Sequence, residues 1–222
     1  MKAAALTLAV ALSLSASAFA QQEARNEREY RDGYSQFSVG LRNSLPTGEA
    51  FQGVKWDDLI SGGIGLQLQY SDLYRSNSWV YTGWYLGVNI DSFGGRSSTV
   101  QGVDIRTDRL NMANLEFGLK VRQNFQGFHL DEHLGVGAAM YMKQEVDIRN
   151  GGPEGLELIK SSVNYLFDVG VRFGAPIGKD VELALGVSYQ MNGAPSEGDD
   201  FSGLNFKSQK NVVLGLYLDF GF

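Results

Sequence analysis

The stretch N-V-V-L-G-L-Y-L-D-F-G-F, from Asn211 to Phe222, alternates between two kinds of residue at every position. One row is wholly apolar and consists of Val212, Leu214, Leu216, Leu218, Phe220 and Phe222. The other row contains glycines, an asparagine and a carboxylate. A period of two predicts a β-strand with two different faces. The stretch is also long enough to cross a bilayer, for which a strand needs about 9–11 residues.

Seven further stretches repeat this pattern, with Leu, Val, Ile or Phe on one row and Gly, Gln, Asn, Tyr or charge on the other. They lie near residues 34–42, 62–70, 79–91, 110–122, 133–143, 163–173 and 181–192. Two places fit less well. Leu110 and Met112 are out of phase with Leu115 onward, which predicts either a later strand start or a β-bulge near Ala113. The polar segment 128–133 is expected to belong to a turn.

The connections between these stretches alternate strictly in length. Long polar connections lie near 43–61, 92–109, 144–161 and 193–210, and short ones near 71–78, 123–132 and 175–180. An even strand number with alternating long loops and short turns is typical of outer-membrane barrels. The predicted fold is therefore all-β, an eight-stranded antiparallel up-and-down transmembrane β-barrel over residues 34–222. A soluble sandwich or lipocalin-like barrel would instead point its apolar row inward.

The start of the chain indicates export. Residues 1–20 combine Lys2, a short apolar run and the cleavage pattern Ala18-Phe19-Ala20, which predicts a cleaved signal peptide rather than a membrane anchor. Residues 21–33 are highly charged and are interpreted as a polar periplasmic segment. The formal charge of −6 argues against nucleic-acid binding, and the absence of cysteine excludes disulfides and thiolate metal sites.

With the terminal Phe222, these features resemble the small outer-membrane barrels of the OmpA transmembrane domain and OmpX type. The resemblance implies a porin-like envelope protein of a Gram-negative-type bacterium, surrounded by outer-membrane lipid and lipopolysaccharide. It also implies that Leu218, Phe220 and Phe222 form the signal read by the barrel-insertion machinery. A monomer is expected, with a possible extracellular ligand bound by the loops.

The polar row predicts a charge network inside the barrel. Its members are Glu116, Lys120, Arg122, Asp168, Arg172, Glu182 and Asp219. Arg172 and Glu182 are expected to face each other across the turn at Pro176. Arg42, Asp91 and Lys143 are expected near the outer end. An eight-stranded barrel is just wide enough for side chains to fill, and a buried charge must be paired, so a plugged lumen is favoured over a gated ion path.

No catalytic, cofactor or metal site is predicted. His129 and His133 are placed in a periplasmic turn as solvated residues, away from the outer leaflet where lipid A chemistry would occur. The long loops are acidic, with Glu49, Asp57 and Glu197 among their carboxylates, but they lack the spacing of a calcium loop. Loop aromatics, which include Trp56 and Phe206, either contact a partner or pack within the loops.

The sequence is compatible with three functions. The first is a non-enzymatic surface barrel in adhesion or envelope integrity. The second is a narrow channel for small or apolar solutes, with a side opening near Gly135, Gly137 and Ala139. The third is a lipid A-modifying enzyme.

Overall fold

Eight long strands form the body of the protein. The computed structural model describes residues 33–100 and 102–222, so the predicted signal peptide 1–20 and nearly all of the segment 21–33 lie outside the described residues. The barrel strands are β1 (Gly33–Thr47), β4 (Ile60–Arg75), β5 (Val80–Gly95), β8 (Leu110–Phe125), β9 (Phe128–Tyr141), β12 (Ser162–Pro176), β13 (Val181–Asn192) and β15 (Gln209–Gly221).

These strands close into one antiparallel barrel in the order β1-β15-β13-β12-β9-β8-β5-β4. Each strand pairs with the barrel strands before and after it in the chain, and β15 returns to β1 with Val39 opposite Leu218. The predicted eight-stranded up-and-down barrel is confirmed. Its ends differ: residues 76–79, 126–127 and 177–180 make the short-turn end, and the four long connections make the long-loop end.

The two faces of the barrel wall are the reverse of those in a soluble protein. Leu216 and Val171 are 43% and 42% exposed on the outside, whereas Glu116 and Asp168 are 1% and 3% exposed on the inside. A barrel with an apolar outer wall and a polar interior matches a lipid surround, because hydrocarbon has no groups to solvate charge. The apolar rows of the sequence therefore cover the outside of the barrel.

Two expectations about strand boundaries were wrong. The ladder between β8 and β5 is unbroken from Leu110 to Gln123, so no bulge occurs at Ala113. Leu110 and Met112 point inward with Asn114, because the interior becomes apolar at the long-loop end. The polar segment 128–133 is not a turn, since β9 begins at Phe128 and turns its alternate residues into the lumen.

The long connections fold into elements of their own, which the sequence did not reveal. They are β2 (Glu49–Phe51), β3 (Val54–Lys55), α1 (Trp56–Leu59), β6 (Ser97–Val100), β7 (Val103–Thr107), β10 (Gln144–Ile148), β11 (Leu156–Lys160) and β14 (Ser196–Glu197). Five of them form a second sheet, β14-β11-β10-β7-β6, which we call the loop sheet. In the part of the chain that the structure describes, no helix is long and apolar enough to span a membrane.

An apolar core lies at the long-loop end, between the barrel interior and the loop sheet. It combines inward residues of the barrel strands, such as Met112 and Tyr141, with Trp56 and Leu59 of α1 and Val146 of β10. We call this group the apolar cap. Burial of apolar surface stabilises such a core at about 25 cal/mol per Å². The loops are therefore held by a hydrophobic core of their own above the polar lumen.

Candidate functional site

The short-turn half of the lumen is organised around the guanidinium of Arg122. Its Nε donates to Asp131 Oδ1 at 2.5 Å and its Nη2 to Asp131 Oδ2 at 2.7 Å, while Nη1 donates to Glu182 Oε2 at 2.8 Å. Asp219 Oδ2 lies 3.8 Å from Nη2. Lys120 joins the same group, since its Nζ lies 2.9 Å from Asp131 Oδ2 and donates to Gln36 Oε1 at 2.7 Å.

His129 and Asp131 belong to this group, although the polarity of segment 128–133 predicted a solvated turn. His129 is 1% exposed, and its Nε2 lies 3.1 Å from Arg122 Nη2. Asp131 is completely buried. The alternation of Phe128, His129, Leu130 and Asp131 was the signal available in the sequence, but the high polarity of the segment obscured it.

Arg172 occupies the middle of the lumen in a different way from that expected. The register places Arg172 opposite Gly186 and Glu182 opposite Pro176, so the two do not face each other across the turn. The Arg172 guanidinium instead lies 3.8 Å from the ring centroid of Tyr217, and its Nη2 donates to Gln69 Oε1 at 2.5 Å. A cation stacked on an aromatic face is a favourable arrangement in a desolvated interior.

Two further carboxylates of the predicted network have partners that the sequence did not identify. The Tyr85 hydroxyl donates to Glu116 Oε1, and Asn89 Nδ2 donates to Glu116 Oε2 at 3.5 Å. His133 Nε2 lies 3.2 Å from Asp168 Oδ1. Ser188 Oγ donates to Asp168 Oδ2 at 3.3 Å. Together with the five residues described above, these two carboxylates complete the set of seven predicted lumen residues, and all seven lie in the barrel interior.

Nearer the long-loop end, Arg42 and Asp91 are inside the barrel as expected. Arg42 Nε lies 3.5 Å from Asp91 Oδ1, and Ser44 Oγ donates to the same oxygen at 3.2 Å. Lys143 was wrongly assigned to this region, because it follows the end of β9 and is exposed beside Glu145 with an Nζ–Oε1 distance of 2.7 Å.

Carboxylates outnumber cations in the described lumen. The cations are Arg42, Lys120, Arg122 and Arg172, and the carboxylates are Asp91, Glu116, Asp131, Asp168, Glu182 and Asp219. The excess of two replaces the rough balance expected from the sequence. Both histidines lie beside carboxylates, so each can stabilise one of these charges by donating a hydrogen bond.

Within residues 33–100 and 102–222, one group offers three acidic or histidine ligand atoms within 4.8 Å of one another: His129, Glu182 and Asp219. The guanidinium of Arg122 already lies beside all three. A divalent cation at this point would meet a fixed positive charge at close range. The group is therefore better suited to a guanidinium counter-ion than to a metal.

The apolar cap closes the lumen above these charges. Leu110, Met112 and Tyr141 are each 0–1% exposed, and the Tyr141 hydroxyl donates to the carbonyl oxygen of Gly193 at 2.9 Å. Trp56 stacks on Phe206 with ring centroids 5.7 Å apart. Loop aromatics thus pack among themselves, which is one of the two alternatives that the sequence left open.

Ion pairs and hydrogen bonds connect the long loops to one another. Glu49 Oε2 and Lys207 Nζ lie 2.6 Å apart, and this contact with Lys207 is the main cause that lowers the pKa of the Glu49 carboxyl. Lys160 Nζ and Asp199 Oδ1 lie 2.8 Å apart, and the contact raises the pKa of Lys160. These acidic residues thus connect different loops, although their side chains stay exposed to solvent. We call the four connections and the loop sheet the loop unit.

Neither family models nor curated protein sequences match this chain. Among solved structures, Ail, the attachment invasion locus protein of Yersinia pestis, is similar at 19% identity and a TM-score of 0.48, over 86% of this chain and 100% of that one. The outer membrane protease OmpT of Escherichia coli is similar at 8% identity and a TM-score of 0.49, over 87% and 98%. A major outer membrane protein of Thermus thermophilus is similar at 15% identity and a TM-score of 0.49, over 85% of this chain and 99% of that one.

At such low identities these similarities carry no argument about activity, and the class follows from the geometry of the chain itself. A closed eight-stranded barrel with an apolar outside and a charged inside has the architecture of the small outer-membrane β-barrels, to which the OmpA/OmpX type belongs. In the layout typical of such barrels, the short-turn end is expected to face the periplasm and the loop unit the cell exterior.

Proposed function

We propose that this protein is a non-enzymatic, monomeric surface barrel that does not conduct solutes and acts through its loop unit, in adhesion or in envelope integrity. Its surroundings are outer-membrane lipid and lipopolysaccharide. The observation that carries the proposal is closure at two levels, by charged side chains around Arg122 and by the apolar cap around Met112.

These two levels oppose conduction for different physical reasons. The charged level is filled by paired side chains in a barrel of only eight strands, whose interior has just enough width for them. The apolar level disfavours water and ions, because most of the side chains that fill it are hydrocarbon. A solute would have to displace both levels to pass.

The side opening considered for a channel has no support in the wall near Gly137. Strands β8 and β9 pair continuously from Met112–Tyr141 to Phe125–Phe128. A Cβ on Gly137 would lie 1.9 Å from the carbonyl oxygen of Leu115, so the neighbouring backbone occupies that space.

A histidine-dependent lipid A enzyme is also disfavoured. Both histidines of the sequence lie on β9 inside the barrel, and His129 is near the short-turn end. Lipid A lies in the outer leaflet, so a histidine acting on it would have to be at the opposite end of the barrel.

The loop unit presents an ordered polar surface to the exterior. Ser97, Thr99, Asp104 and Arg106 are exposed on the outer face of the loop sheet, with Ser97 opposite Arg106 and Thr99 opposite Asp104. A preorganised surface loses less conformational entropy on binding than a flexible loop does. The hydrogen-bonded strands of the loop sheet therefore support a role in contact with a partner.

Conductance tests the closed lumen directly. The purified protein in planar lipid bilayers is expected to show no stable open state, while a general porin incorporated in the same way provides the positive control. A reproducible open state carried by the folded barrel would overturn the proposal in favour of a channel.

Epitope insertion tests the surface role. A short peptide epitope at the exposed turn near Gly151 is expected to be labelled by antibody on intact cells and to reduce adherence to epithelial monolayers. The same epitope in the short turn near Gly178 is the matched control and should change neither. If deletion of the protein leaves adherence unchanged but increases detergent sensitivity, the role is envelope integrity. Altered lipid A in mass spectra would instead indicate an enzyme.

A further inference from the structure

The loop unit contains a cavity of about 310 Å³ beneath the loop sheet. One wall is the inner face of the loop sheet, with Val103 and Ile105 of β7. Val146 and Ile148 of the neighbouring strand β10 continue the same wall, and Ile148 pairs directly with Ile105. The cavity is independent of the charged lumen, because every side chain that lines it belongs to the apolar cap or to the loops packed on it.

The floor and the open side of the cavity are apolar as well. Phe51 and Leu59 belong to the apolar cap and form the floor. Phe201 and Leu204, from the connection after β14, lie along the side. Val103 is 44% exposed, so the hairpin leaves part of the cavity open to the exterior.

The chemistry of this lining selects one class of ligand. It has no ionisable side chain and no side-chain hydrogen-bonding group, so a charged or polar ligand would lose its hydration without compensation. An apolar ligand would gain by removing its own surface and that of the cavity from water.

The volume limits the size of the ligand. Cavities that bind small molecules start at about 300 Å³. An engineered apolar cavity of about 150 Å³ binds benzene, so this cavity has room for roughly twice that volume. We propose that the loop unit binds a small uncharged hydrocarbon of about the size of naphthalene in the cavity between the inner face of the loop sheet and the apolar cap.

NMR signals of isoleucine methyl groups can locate such binding, because two isoleucines line the cavity and two others lie on the lipid-facing wall as controls. Ile105 and Ile148 line the cavity, whereas Ile64 and Ile90 are 69% and 57% exposed on the lipid-facing wall. The full barrel in lipid nanodiscs, with labelled isoleucine δ1 methyls, would be titrated with naphthalene. We expect saturable shifts at Ile105 and Ile148. Ile64 and Ile90 should show only a linear response from partitioning into lipid.

A pair of variants adds a charge on opposite faces of the same hairpin. Val103→Asp places a carboxylate at the mouth of the cavity and is expected to weaken naphthalene binding roughly tenfold or more. Ser97→Asp adds the same charge on the outer face, opposite Arg106, and should leave binding unchanged. Val100→Phe, which fills the cavity with carbon, replaces Val103→Asp if that variant does not fold.

Ligand size gives a separate measurement. Naphthalene should saturate the Ile105 and Ile148 shifts, and a rigid hydrocarbon whose own volume exceeds the 310 Å³ of the cavity should not. The proposal is overturned if all four methyls respond only linearly, or if Val103→Asp and Ser97→Asp bind naphthalene equally well. Neither result bears on adherence, so this site can fail while the proposed surface role stands.

Discussion

Arg122 and Asp131 form a two-point ion pair inside the barrel, with one guanidinium nitrogen on each carboxylate oxygen at 2.5 and 2.7 Å. They lie opposite each other on β8 and β9, so the pair connects neighbouring strands across the lumen face. The hydrogen bonds are strong because both groups are charged. Their parallel, two-point geometry also fixes the relative orientation of the two side chains. The other nitrogen of the guanidinium reaches Glu182 on β13, so one side chain holds three strands.

Loss of this guanidinium is expected to destabilise the barrel. Arg122→Met leaves Asp131 and Glu182 buried with fewer partners, and removal of one partner from a buried pair costs about 3–5 kcal/mol. The free energy of unfolding would be measured by urea titration of the protein refolded into phospholipid vesicles.

The matched control removes a cation from an exposed pair. Lys143→Met breaks the contact with Glu145, in which both side chains are well exposed, and should leave the unfolding midpoint unchanged. Equal effects of Arg122→Met and Lys143→Met would mean that the charged group in the lumen does not contribute to stability.

Alanine substitutions at two glycines of the barrel strands are expected to have opposite effects on stability. A Cβ at Gly137 would lie 1.9 Å from the Leu115 carbonyl oxygen, whereas the nearest atom to a Cβ at Gly87 is 3.8 Å away. Gly137→Ala should therefore force apart β8 and β9 and cost about 1–3 kcal/mol, while Gly87→Ala should be tolerated. The fraction of heat-modifiable protein after refolding distinguishes them. Similar yields for the two variants would contradict the close approach of these strands.

The sequence predicted the wall of the barrel well, because each residue there has one of two environments. Leu216 in lipid and Glu116 in the lumen have opposite chemistry, so the period of two was visible along whole strands. The prediction failed where the chemical difference between the outside and the inside of the barrel ends. Met112 points inward but is apolar, since the interior changes from polar to apolar at the long-loop end.

The partners in the lumen and the loop sheet could not be predicted, for a different reason. The pairing of Arg122 with Glu182 depends on β8 and β13 facing each other across a closed barrel, which no local pattern encodes. The strands of the loop sheet have only two to five residues, and two of their four pairings, β7 with β10 and β11 with β14, join different loops. Such segments are too short for an alternation to be recognised, as in Ser196–Glu197.

Glu197 is expected to control the order of the last long loop. Its carboxylate accepts from the backbone N–H groups of Gly203 at 2.6 Å and Asn205 at 2.5 Å, and these contacts lower its pKa below the ordinary value of a glutamate. Glu197→Gln removes the charge and one acceptor. The amides of Gly203 and Asn205 should then exchange hydrogen faster, as measured by residue-resolved hydrogen exchange.

The same contacts predict a pH dependence. A lowered pKa means that the stabilisation from Glu197 is fully present above the ordinary glutamate pKa and is lost as the pH falls through the lower folded-state pKa. Protection factors of the wild-type loop should decrease only in that acidic range, while those of Glu197→Gln stay low throughout. Glu154→Gln, at an exposed glutamate of another loop, is the control and should match the wild type.

Comparing substitutions of Phe222 and Phe173 can distinguish recognition during assembly from anchoring in the membrane interface. Both rings point outward and are 63% and 53% exposed, so each can occupy the interfacial region as an aromatic anchor. The backbone of Phe222 pairs with Ser35 through two hydrogen bonds of 3.0 and 3.2 Å, and Phe222→Ala retains both. The substitution therefore removes only the side chain proposed to be read by the insertion machinery.

If Phe222 is part of that signal, Phe222→Ala should slow the appearance of heat-modifiable barrel in cells, and Phe173→Ala should not. Both variants should lose a similar, small amount of unfolding free energy in vesicles, since each removes one interfacial ring. An equal assembly rate for the two variants in cells would reject the signal. A stability loss confined to Phe222→Ala would instead place its role in the closure of β15 against β1.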